Sequence, residues 1–346
     1  DVGGARAILP IARLAHMRGI EVSALAHGTL HKEGDRAWNW LDLEAACTHP
    51  ADAVVYATSV ADTASMQVAA QAQTRGIPVL HVLDNWSSYA ARLETYDGVG
   101  VIPDIYAVMD QLAYDEAKAE GVPDHIMRIT GHPNLAHIGD EHKNLCAPAA
   151  RPTLLLFVSE PAGIDSGVAT DPGGRGYDEA SVASQVMEAL ITPAAVAALG
   201  SSPSLQVVPH SREDRAVVTA RWQDLMSRAN AAANGAQLSL SIVPPAEGVR
   251  HALHGATHVI GMTSILLYEA WLLGRPVASI QPNLRGVGLR SLSHREGLMF
   301  CDDPTLINAT IQTALKTPQQ PPRQELHQHL SASAHVLDLL KNGTAL

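Results

Sequence analysis

The sequence predicts an α/β chain made of two doubly wound, Rossmann-like parallel-sheet domains facing a cleft. Short apolar runs alternate with amphipathic stretches along all 346 residues. The runs are rich in Val, Ile and Leu and mostly uninterrupted, as strands covered by helices on both faces require. A Pro/Ala segment, Cys146-Ala147-Pro148-Ala149-Ala150-Arg151-Pro152, then divides the series into halves of similar size. Strand–helix–strand repetition implies right-handed crossovers and parallel sheets.

In the first half, strands are expected at 20–26, 53–56, 77–82, 105–109 and 126–130, with helices at 5–18, 62–75 and 110–120. In the second, strands fall at 153–158, 205–208, 238–243, 257–260 and 276–280, and helices at 179–190, 213–230, 264–273 and 304–316. The domains therefore read as 1–148 and 152–316, followed by a hinge and C-terminal helix over 317–346. That last helix, 323–341, either caps the second domain or crosses back onto the first. The opening Asp1-Val2-Gly3-Gly4 reads as a loop entering a helix, so a first strand is expected ahead of residue 1.

Composition narrows the function classes. With 46% apolar and 17% charged residues the chain is too hydrophobic for disorder. Its 24 basic and 35 acidic side chains, net −11, argue against a general nucleic-acid binder. Cys47, Cys146 and Cys301 fit neither a zinc pattern nor a disulfide framework, and suit a reducing, cytoplasmic setting. The longest apolar run, 260–273, is broken by Glu269 and is too short to span a bilayer. Peripheral membrane contact through a local patch stays open, as does the oligomeric state.

In open parallel sheets ligands bind at the carboxyl ends of the strands, and five loops there carry candidate chemistry. Gly3-Gly4 would let a ligand approach a helix N-terminus, or would simply make a tight turn; it is not a dinucleotide fingerprint. Asp84-Asn85-Trp86-Ser87-Ser88-Tyr89-Ala90-Ala91-Arg92 combines an acid, an amide, aromatics and an arginine, which suits a sugar or acceptor as well as a solvated loop. Asp84 and His132, the latter in Thr130-Gly131-His132-Pro133-Asn134, are the candidate general bases, while Asn85, Trp86 and Arg92 are candidate sugar contacts. In Pro209-His210-Ser211-Arg212-Glu213-Asp214, Ser211 caps a helix with Glu213 and Asp214 in its first turn. His210 and Arg212 are left to meet a phosphate. Finally, Gly261-Met262-Thr263-Ser264 opens a helix whose single acid is Glu269. Thr263, Ser264 and the helix amides can hold a diphosphate, and Glu269 a ribose; a capped helix with an exposed Glu is the alternative.

The run Thr263-Ser264 to Glu269-Ala270 to Leu273-Gly274-Arg275-Pro276 resembles the nucleotide-binding signature of GT-B glycosyltransferases and the related UDP-N-acetylglucosamine 2-epimerases. The resemblance implies diphosphate contacts at Thr263 and Ser264 and a ribose contact at Glu269. Pro209-His210-Ser211-Arg212-Glu213 is similar to a His-Pro strand end of these proteins, with Ser211 in place of the proline. The epimerases carry a Thr-Leu-His-Arg-like segment after the first strand of the second domain. Phe157-Val158-Ser159-Glu160-Pro161 has neither the His nor the Arg, which favours glycosyl transfer. The expected activity is thus metal-independent transfer of a sugar from a nucleotide-sugar donor, such as a UDP-sugar, to an unidentified acceptor in polysaccharide or glycoconjugate synthesis. An epimerase, a hydrolase or a non-catalytic sugar-nucleotide binder is the alternative. No cofactor beyond the nucleotide-sugar co-substrate is expected, and no Asp-x-Asp element points to a metal ion. The polar loop 160–177 could serve as a lid or be a disordered insertion.

Overall fold

The computed structural model describes residues 2–58, 63–94, 100–136, 138, 153–200, 203–232, 238–244, 249–286 and 295–343. The chain divides into two compact units, residues 1–141 with 324–346, and residues 142–323. The Pro/Ala segment expected to link them lies outside the described residues.

Unit 1 runs α1 (Val2–Met17), β1 (Ser23–Leu25), α2 (Gly28–Glu33), β2 (Asn39–Leu41), α3 (Leu43–Thr48), β3 (Val54–Tyr56), α4 (Ala64–Thr74), β4 (Val79–Val82), β5 (Ile105–Val108), α5 (Gln111–Ala119) and β6 (Met127–Ile129). The strands β3-β4-β5-β6 form a parallel sheet in chain order, and β1 pairs with β2, also parallel, in a separate sheet. Ala7, Ile11 and Ala15 recur every fourth residue, so α1 turns one stripe onto Leu80, Val82 and Ala107 of that sheet. Tyr56 and Val79 pack with Met66, Ala69 and Ala72 of α4 in a second cluster. Gly3 and Gly4 are not a loop. They lie in the first turn of α1, with Gly4 buried.

Unit 2 runs β7 (Leu154–Val158), α6 (Ala162–Ser166), α7 (Glu179–Leu190), α8 (Pro193–Leu199), β8 (Ser204–Val208), α9 (Arg215–Ala232), β9 (Ser239–Ile242), α10 (Val249–Gly255), β10 (His258–Gly261), α11 (Ile265–Leu272), β11 (Val277–Ile280), β12 (Leu298–Cys301) and α12 (Ile307–Lys316). Its parallel sheet has the order β9-β8-β7-β10-β11-β12, the doubly wound arrangement. Phe157, Leu155 and Val207 pack against Trp222 of α9 and Val186 of α7, all fully or nearly fully buried. Asp178 starts α7 with a reciprocal capping box to Ser181.

The expected terminal helix is interrupted. The chain forms α13 (Glu325–Leu330), breaks at Ser331 and resumes as α14 (Ala332–Gly343). Both belong to unit 1, where Val336 and Leu337 join the cluster around Leu80 and Ala107. Gly131 admits this return: its φ is +88°, and a Cβ there would overlap the carbonyl oxygen of Gln328. No single helix among the described residues is long and apolar enough to cross a membrane.

Candidate functional site

The strand order of unit 2 reverses between β7 and β10, and the crevice of such a sheet opens at that point. Register sets Val158 opposite Gly261, and the loops that follow bring Glu160 to Thr263. One carboxylate oxygen of Glu160 accepts the Thr263 amide at 2.8 Å, and the other accepts the Thr263 hydroxyl at 2.6 Å. Gly261 permits the close passage, since a Cβ there would stand 2.9 Å from the Val158 carbonyl oxygen. Ser264 then caps α11, its Oγ accepting the Leu266 amide at 3.3 Å. Glu269 is buried in the middle of that helix rather than solvent-exposed. Gly261, Thr263, Ser264 and Glu269 therefore share one loop and helix, but the donors of Thr263 already serve an internal carboxylate. Burial pushes the Glu160 carboxyl above the ordinary range, and the Thr263 bonds and the charge of Arg175 only partly offset it.

At the end of β8, His210 and Arg212 are close to this edge. The Arg212 amide donates to His210 Nδ1 at 3.2 Å, which leaves the proton on Nε2. Burial and then the Arg212 charge hold His210 below its ordinary pKa, so it is a neutral donor. Arg212 grips both carboxylate oxygens of Asp165, and its side chain is 55% exposed. Ser211 does not cap the next helix. Asp214 does, accepting the amides of Ala216 and Val217, while Glu213 turns inward to the Ser159 hydroxyl at 2.9 Å and the His210 amide at 2.7 Å.

Loop 160–177 is folded against this edge. It contains α6, and Arg285 holds it through its guanidinium to the Asp171 carbonyl and its amide to the Arg175 carbonyl, both at 2.8 Å. Tyr177 donates to Gln281, which donates to the Met262 carbonyl. An open groove of about 630 Å³ lies along the same edge, lined by Thr170, Gly176, Asn283, Arg285 and Asp302 among others.

Unit 1 has a polar cluster at the carboxyl ends of its own strands. Asp84 pairs with Arg92 at 2.6 Å with both side chains under a tenth exposed, and Arg92 also donates to the Thr58 carbonyl at 2.6 Å. Trp86 was expected to offer a face to a sugar. Instead it is buried, with Nε1 donating to both oxygens of Asp110 at 3.1 and 3.0 Å, because Asp110 is poised at the start of α5. Asn85 accepts the Trp86 amide. His132 is buried and fully engaged: Nδ1 accepts the Asn134 amide at 3.2 Å, and Nε2 donates to the Asp84 carbonyl at 3.1 Å. Burial lowers its pKa to about 4, so the ring is neutral, and in this arrangement no lone pair is left to act as a base. Its own amide donates to His329 Nδ1 on α13 at 3.0 Å.

Sequence reasoning missed Glu160, Asp110 and His329. An acid directly after an apolar strand signals the first two; nothing local marks His329, which arrives from almost two hundred positions away. Among the described residues, no group of three or more His, Cys, Asp or Glu is placed to hold a metal ion.

No protein-family model matches the chain, and no curated protein matches it by sequence. Solved structures do. A putative UDP-N-acetylglucosamine 2-epimerase from Listeria monocytogenes superposes with a TM-score of 0.62 at 13% identity, covering 98% of this chain and 93% of that one. The UDP-GlcNAc 2-epimerase from Neisseria meningitidis, bound to UDP-GlcNAc, gives 0.62 at 12%, covering 98% and 97%. MurG from Acinetobacter baumannii gives 0.59 at 15%, covering 98% and 96%. The chain has the GT-B-type α/β fold that these proteins share.

Proposed function

We propose that unit 2 binds a nucleoside-diphosphate sugar, of the UDP-sugar type, at the switch-point crevice, and that the chain isomerises or hydrolyses it. The observation that carries this reading is the convergence there of the Thr263–Ser264 helix start, the buried Glu269 and the neutral donor His210. The amides at the start of α11 and the His210 Nε2–H would meet the phosphates, with the charges of Arg212 and Arg175 behind them. Glu269 would accept from the ribose hydroxyls, and the groove along the edge is of the size a sugar needs. Within unit 1, Asp84 is held by Arg92, and His132 positions its loop through the Asp84 carbonyl. Support for isomerisation comes from the several UDP-GlcNAc 2-epimerases among the similar structures. Glycosyl transfer is the second reading, favoured by Ser159-Glu160-Pro161 standing where the epimerases carry a His-Arg segment.

The test is incubation with UDP-GlcNAc and no acceptor. An isomerised nucleotide sugar, or free UDP and sugar, supports the first reading; turnover only when an acceptor is added supports the second. Thermal shifts with UDP, GDP, CMP and dTDP identify the nucleotide, since a ligand at a hundredfold over its Kd stabilises by about 2.7 kcal/mol. Glu269→Gln should shrink the UDP shift, and an undiminished shift rules out the ribose contact.

A further inference from the structure

We infer that Glu160 is an internal competitor for the ligand, occupying the donors of Thr263 that a diphosphate would take and so setting how tightly an anionic nucleotide binds. The inference rests on the proposed reading of the crevice as a diphosphate site.

The geometry is that of a bound anion. A carboxylate presents two oxygens about as far apart as two oxygens of one phosphoryl group, and here both are used. Oε1 lies on the Thr263 amide and Oε2 on the Thr263 hydroxyl, at the distances of charge-assisted hydrogen bonds. The contact is built by register. β7 and β10 are neighbours, Val158 faces Gly261, and the two chains leave the sheet side by side toward Glu160 and Thr263. Glu160 is only 7% exposed, so it is a fixed part of the crevice rather than a surface side chain. A phosphoryl group and this carboxylate cannot share the same two donors, and like charges at contact repel.

A route out exists for the carboxylate. Among the charged groups that act on it, Arg175 attracts and Asp165 repels, both from the loop that follows Glu160; Thr263 faces it from the loop before α11. Arg175 is a third exposed; its Nε donates to Ser166 at 3.1 Å, its guanidinium makes a long contact to Asp165 at 3.9 Å, and it also hydrogen-bonds the Tyr177 hydroxyl. Its charge already attracts Glu160, so it is the group that would receive the carboxylate when a ligand takes Thr263. Binding would then exchange one anion for another at the amide and hydroxyl, and the affinity measured is the difference between the two.

The experiment is titration calorimetry of wild type, Glu160→Gln and Glu160→Ala with UDP, inorganic pyrophosphate and uridine. Removing the competing charge should tighten UDP and pyrophosphate about tenfold or more, while uridine, which has no phosphate, binds all three proteins alike. UDP affinity that is unchanged or weaker in both variants overturns the inference and leaves the binding site standing. Tightening of uridine to the same degree also overturns it. If neither UDP nor pyrophosphate binds wild type or variants, the nucleotide-site reading falls together with it. Melting curves establish that each variant is folded, and the isosteric Glu160→Gln decides the matter should Glu160→Ala not fold.

Discussion

Acidification should weaken unit 1 through His132. The ring is enclosed, lies against Trp86 at 6.0 Å between centroids, and has both nitrogens engaged while neutral. Protonation would place a second N–H against the Asn134 amide. A folded pKa of about 4 against an ordinary 6.5 means that the unfolded chain takes up this proton first as the pH falls. The contribution is intact above about pH 6.5 and is lost progressively down to about pH 4. The gap between the two values is worth about 3 kcal/mol, a large share of the 5–15 kcal/mol (roughly) that holds a domain together. His81 adds to the same slope, since burial and then the Arg92 charge hold it well below its ordinary value. The assay is urea unfolding at several values between about pH 7.5 and about pH 4.5, comparing wild type with His132→Asn. Trp86 fluorescence reports on the ring, because an imidazolium beside an indole quenches it. The variant should be less stable at neutral pH but lose less on acidification, and the two profiles should converge. Parallel profiles would refute the argument, since carboxylates elsewhere contribute equally to both.

Three further outcomes follow from packing and exposure. Gly131→Ala forces a side chain into a left-handed backbone and against the Gln328 carbonyl; a loss of about 2 kcal/mol or more is expected, with faster proteolysis near α13. Trp222→Ala empties a fully buried position whose ring lies 4.8 Å from Phe157, and should cost about 3–5 kcal/mol in the unfolding of unit 2 alone. Arg212→Ala removes an exposed ion pair, so stability by urea titration should change by less than about 1 kcal/mol, while UDP affinity falls and becomes less salt-sensitive.

What the sequence disclosed was decided by length and by locality. The strand β7, Leu154-Leu155-Leu156-Phe157-Val158, is an unbroken apolar run and reads directly, as does the helix start at Ser264. β2 is Asn39-Trp40-Leu41 and β12 is Leu298-Met299-Phe300-Cys301; three or four residues carry no period, and their pairing partners alone define them. The candidate loops lie at strand ends because the fold places them there, but their side-chain roles depended on contacts no local pattern contains. Trp86 is held by Asp110, Thr263 by Glu160, and His132 by an amide, a carbonyl and a helix from the far end of the chain. Ser211 looked like a cap because it precedes two acids, but the helix begins later and Asp214 has the better geometry.

The membership of α13 and α14 in unit 1 sets an order of events on the ribosome. Residues 142–323 are contiguous and can collapse as soon as they emerge, whereas the hydrophobic layer beneath α1 waits for Val336 and Leu337. Until then the nascent amino-terminal half has its Leu80 and Ala107 face partly uncovered, a natural target for chaperones. A premature stop codon that spares every residue of unit 2 would therefore leave unit 1 the one that fails.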